Sequence, residues 1–126
     1  MPEYQTRMIP IYNTHGEAEA FLVFPNIFNR TGEWIGWVTQ QREVYSVLGQ
    51  YVGALTEEPR VVRKRSEDDV KPRLKCPPHP GRISTPAQVP LAPLMKELTH
   101  SLVDVLEEAP ELLHTVDSGE LRNDMD

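Results

Sequence analysis

The stretch Asn26-Ile27-Phe28-Asn29-Arg30-Thr31-Gly32-Glu33-Trp34-Ile35-Gly36-Trp37-Val38-Thr39 decides the fold. Two apolar runs flank a polar tetrad that ends in glycine. Asn29 opens the turn and is a residue whose side chain bonds its own backbone two residues on. Gly32 closes it, where a type I turn with a bulge requires φ > 0. The stretch therefore reads as a β-hairpin, entered at Ile27-Phe28 and left over residues 33–39. Gly36 lies inside the outgoing strand, where a residue without a side chain marks a bend or the close approach of another backbone.

The same frame recurs on both sides. Ile11-Tyr12, Gly16 and Ala20-Phe21-Leu22 precede it by 16 residues, and Val44-Tyr45, Gly49 and Gly53-Ala54-Leu55 follow it by 17. A fourth start, Val61-Val62, comes 17 residues after Val44, but there Ser66 holds the turn position and Val70 the small-residue position. A repeat with this period governs any fold assignment. One hairpin alone is marginal in water, so the expectation is a mainly β protein. Four short hairpins would combine into a closed, radial, pseudo-four-fold unit with little free edge. Tyr12, Phe28 and Tyr45 fall at matching positions, and with Trp34 and Trp37 they read as core.

These glycine-timed units resemble the four-fold β-flower, a bacterial domain of hairpin repeats around a pseudo-four-fold axis. The resemblance covers about residues 7–72, and the chain departs from it in the degenerate fourth unit. It implies the architecture and no activity, so no catalytic residue is carried over.

Beyond the repeats the composition changes. The chain has 126 residues, and seven of its 12 prolines fall between Pro72 and Pro93. Proline lacks the backbone donor and fixes φ, so residues 73–90 read as an extended connector laid on the first unit. From Leu91 the apolar residues Leu91, Leu94, Met95, Leu98, Leu102, Val105 and Leu106 recur at helical spacing, which predicts one amphipathic helix over 91–116. Its apolar face is the candidate for self-association with a second copy, the alternative being packing on the chain's own β unit. Residues 117–126 read as a disordered acidic tail.

Charge narrows the function. Residues 59–82 carry eight Lys/Arg against three Asp/Glu, whereas the whole chain has net charge −6. Nucleic acid is therefore an unfavoured partner for the whole, and only Arg60, Arg63, Lys64 and Arg65 stand as candidate polyanion contacts. The competing reading is a solvated strand edge whose positive charge blocks edge pairing. Trp34, Trp37 and Tyr51 are candidate contacts for a small ligand or glycan, against core packing. Cys76-x2-His79 has the spacing of half a zinc site but no second half in sequence, so neither metal nor cofactor is expected. Glu17, Glu19 and Glu33 would cluster only if the turns converge, and no catalytic constellation emerges. One cysteine, no run of 20 apolar residues and no basic leader suit a cytoplasmic protein without a membrane span. The expectation is a non-enzymatic interaction or scaffold protein, a homo-oligomer or the partner of another protein. Small-ligand binding and weak polyanion binding are the alternatives.

Overall fold

A computed structural model describes residues 7–65 and 71–116. Eight strands run β1 Ile9–Tyr12, β2 Ala18–Val23, β3 Asn26–Asn29, β4 Trp34–Val38, β5 Glu43–Ser46, β6 Tyr51–Leu55, β7 Val61–Lys64 and β8 Leu102–Asp104. They pair antiparallel in sequence order within one sheet, which curls into a half-barrel. A short helix, α1 (Val105–Glu108), and a 3-10 turn over Pro110–Leu112 follow.

The repeat is visible in the pairing. Tyr12 faces Ala18, Phe28 faces Trp34 and Tyr45 faces Tyr51, and in each hairpin the register slips by one residue beside that pair. The first residue of each unit points to the inside of the curl. Ile11, Ile27, Val44 and Val61 are all 0% exposed and share one aliphatic cluster with Leu22, Val38 and Leu55. The second residue points the other way, because strand side chains alternate. Phe28 and Tyr45 join Trp34, Trp37 and Val47 in a separate aromatic cluster. The half-barrel thus has an aliphatic inner face and an aromatic outer face.

Three turns are built alike. The Asn13 and Asn29 side-chain oxygens and the Ser46 hydroxyl each accept two backbone N–H bonds, two and four residues on. Each turn closes on a glycine N–H donated to the carbonyl of the opening residue, with Gly16, Gly32 and Gly49 at φ 83°, 87° and 82°. Gly36 serves differently. A Cβ there would lie 2.7 Å from both the Leu113 side chain and the Tyr45 carbonyl, so its bareness lets β5 and the C-terminal turn close on β4.

The C-terminal segment departs from the expected long helix. No helix forms over residues 91–101, and Leu102, Val103 and Asp104 are a strand paired with Lys64, Arg63 and Val62. β8 thereby supplies the fourth hairpin's second strand, 37 residues after its first. The leucine spacing favours a helix locally, but long-range pairing of residues 102–104 with β7 overrides propensity. Helix appears only after Asp104, and Pro110 stops it. The fourth turn anticipated at Ser66 and Val70, and the tail 117–126, lie outside the described residues.

The ladder stays open between β1 and β8, and hydrogen bonds join its ends instead. Tyr12 N–H donates to the Pro59 carbonyl at 3.0 Å. Thr14 donates both its N–H and its hydroxyl to Asp104 Oδ2, each at 2.6 Å. Arg60 Nη1 donates to Thr14 Oγ1, and His15 Nε2 meets Glu107 at 3.0 Å.

Candidate functional site

Residues 71–101, longer than the extended connector expected over 73–90, form a belt across the turn end of the hairpins. Lys71 begins it, 3.7 Å from Glu43 and above the Tyr51 ring. Leu74 N–H then donates to the Gly49 carbonyl, and Ile83 N–H to the Gly32 carbonyl, each at 3.0 Å. Ala92 lies against Gly16, and Pro90 accepts from the Tyr12 hydroxyl at 2.9 Å. The belt therefore visits the third, second and first hairpins in reverse order. Its contact residues Leu74, Ile83 and Ala92 stand nine apart, one step per hairpin. It then returns to the fourth, where Arg65 N–H donates to the Ser101 carbonyl.

Proline suits this path. An extended chain needs no internal hydrogen bonds, and two of the belt's donors, the Leu74 and Ile83 N–H groups, go to the turns. The turns also need glycine for a second reason. A Cβ at Gly32 or Gly49 would collide with the carbonyl of Ile83 or Leu74. Gly32 thus answers to two demands at once, the positive φ and the passing belt.

The belt covers the aromatic face and determines what the outer side chains can do. Trp37 stacks on Tyr45 with centroids 5.1 Å apart and donates Nε1–H to the Ser46 carbonyl at 3.1 Å. Trp34 meets His79 of the belt edge-on. The two indoles are 5% and 7% exposed, so of the two readings core packing holds, and the belt occupies the face on which a ligand would stack. Tyr51 is half-buried between Tyr45 and Lys71.

The basic segment is corrected. Arg60 is 1% exposed, ion-paired with Glu58 at 2.8 Å, and lies inside the seam that joins the sheet's ends. Arg63 gives its guanidinium to the Val52 carbonyl at 2.9 Å. Arg65 bonds the His100 carbonyl and faces Glu108, while Lys64 is exposed. Two exposed cations replace the expected patch of four. Glu58 and Thr14 accept hydrogen bonds from the two terminal nitrogens of Arg60, which offsets part of the cost of burying it, while its Nε is buried without a partner among the described residues.

Cys76 and His79 diverge, the thiol toward the Val47 carbonyl at 3.2 Å and the imidazole onto Trp34. Among the described residues no three His, Cys, Asp or Glu side chains converge as metal ligands. Glu17, Glu19 and Glu33 serve their own turns. Glu17 and Glu19 accept from Asn13, and Glu33 accepts from Asn29 and Thr31. The Asn29 bond, then the Thr31 bond, hold the Glu33 carboxyl below its ordinary range; burial opposes them, and Arg82 adds the weakest lowering effect.

The residues expected to self-associate split into three groups. Val105 is corrected: it is fully buried in the aliphatic core, with Leu106 packed beside it. Leu98 and Leu102 are half-buried. Leu91 and Leu94 stand on the belt at 95% and 88% exposure, beside a shallow depression lined by Thr14, His15, Gly16 and Met95. Sequence reasoning missed the belt's nine-residue step, whose only trace is the spacing of Leu74, Ile83 and Ala92 among prolines. Among the described residues, no helix is long and apolar enough to cross a membrane.

A family model described as 4-fold beta flower protein matches residues 9–97, which takes in the first three hairpins, β7 and most of the belt. No curated protein and no solved structure matches the chain.

Proposed function

The chain belongs to the 4-fold beta flower family, and from that premise we propose that it is a non-enzymatic interaction module that self-associates through the belt. The observation that carries this reading is the pair Leu91 and Leu94. Both stand almost fully in solvent, on a segment held from below by the Tyr12–Pro90 hydrogen bond and the Ala92–Gly16 contact. Exposing two leucines on an anchored backbone is costly in water, at roughly 1.5–3 kcal/mol each that burial would recover. A second copy presenting the same pair would bury both, as a two-fold interface does.

Truncation is the wrong test, because residues after 88 include Val105 and Leu113 of the core. Light scattering of the full chain and of a Leu91→Asp/Leu94→Asp variant is the right one. The full chain should have at least twice the monomer mass at tens of micromolar, and the variant the monomer mass with an unchanged melting temperature. A monomeric full chain at that concentration contradicts the reading.

A further inference from the structure

The three regular hairpins carry different residues at one equivalent position. Ala18, Trp34 and Tyr51 each face the aromatic residue of their incoming strand at the same point in the register. Trp34 fills the space between its hairpin and the belt, reaching His79. Where Trp34 stands in the second hairpin, the first has Ala18. The next hairpin's turn differs too: Val47 closes over Trp37 in one case, and Arg30 stands near Phe21 in the other.

The consequence is a cleft. Between Ala18, the floor residue Phe21, and Pro86, Ala87 and Val89 of the belt there is a space of about 380 Å³. The matching space over Trp34 is about 180 Å³. The larger cleft is rimmed by charges of both signs, with Glu17 and Glu19 on one side and Arg30 on the other. Asn13 orients both carboxylates, at 2.9 and 3.4 Å, and Arg30 lies 3.9 Å from Glu19.

We propose that this cleft binds a free aromatic amino acid, whose ring takes the place that Trp34 fills in the neighbouring hairpin. The ring would lie on Phe21 under the belt, against Ala18, Pro86, Ala87 and Val89, with the charged rim left for the ligand's polar ends. The ammonium would face Glu17 and Glu19, and the carboxylate would meet Arg30, a guanidinium shaped for carboxylates. A ligand with a single charge satisfies only one side of the rim.

Titration calorimetry tests this on the full chain with L-tryptophan, tryptamine and indole-3-propionate. L-Tryptophan should bind saturably, and at least tenfold more tightly than either singly charged analogue. Ala18→Trp fills the slot with the residue its neighbour already holds, so it should abolish binding without lowering the melting temperature. Arg30→Gln should weaken L-tryptophan at least fivefold and leave tryptamine unchanged. No saturable heat with millimolar L-tryptophan overturns the proposal, as does equal affinity for the three compounds. Should Ala18→Trp fail to fold, the Arg30→Gln comparison decides alone: an unchanged L-tryptophan affinity overturns the assignment.

Discussion

The second and fourth hairpins are built on one plan and held together by opposite means. The second has its strands, turn and bulge within residues 26–38, and its turn is capped by Asn29 at close range. The fourth joins β7 to a strand 37 residues later, and its outgoing strand ends on Asp104, which caps the first hairpin's turn through Thr14. Closing a long loop costs more chain entropy than closing a tetrad, though the cost grows only slowly with length. The belt offsets part of it in steps, with one anchoring contact per hairpin passed. A local hairpin has its turn and register set by its own sequence, whereas the fourth depends on the other three being in place.

That contrast can be broken first at the second hairpin. Phe28→Ala removes a fully buried ring of the aromatic face and should cost roughly 3–5 kcal/mol in urea unfolding. The fourth should respond to a smaller deletion. Asp104→Ala strips the Thr14 N–H and hydroxyl of their buried acceptor, at roughly 2–4 kcal/mol. It should also speed amide exchange in β8 more than in β3 and β4, and equal acceleration in all three would erase the contrast. Next comes the point where belt and hairpin meet. Gly32→Ala should cost about 2 kcal/mol, because alanine resists φ +87°. The collision with the Ile83 carbonyl should release the Ile83 amide to rapid exchange while Leu74 stays protected.

The smallest effect is on pH. Asn29, then Thr31, holds the Glu33 carboxyl below the ordinary carboxylate range. A lowered folded-state pKa contributes stability that is fully present above the unfolded-state value and lost as pH falls through the folded one. Melting temperature between pH 6 and pH 3 should therefore fall slightly further for the natural chain than for Glu33→Gln. Parallel curves would show that the bond does not discriminate between protonation states.

The same contrast explains what could be read from the sequence. The first three hairpins were legible because each is local. Asn13, Asn29 and Ser46 open turns, Gly16, Gly32 and Gly49 close them, and the period repeats the message. The fourth hairpin's second strand was not legible, because nothing near Val61 points to Leu102. The leucines from 91 to 106 satisfy a helical period, and only tertiary pairing decides against it. Val103 and Val105, β-branched and flanking Asp104, were the available hint. Burial bore out the core reading of Trp34 and Trp37, which the belt covers, and withdrew Arg60 from the basic segment into the seam between the sheet's ends, a placement that no local pattern near Arg60 announces. The cleft at Ala18 was in the repeat alignment all along, as a small residue opposite Tyr12 where the neighbouring hairpins carry Trp34 and Tyr51.

The central claim is that the belt runs past the third, second and first hairpins and delivers β8 to β7. Nuclear Overhauser contacts between backbone protons test it most directly. The claim predicts cross-strand contacts linking Arg63 with Val103, together with contacts from Leu74 to Gly49 and from Ile83 to Gly32. A continuous series of helical contacts from Leu94 to Ala109, with none to β7, would contradict it.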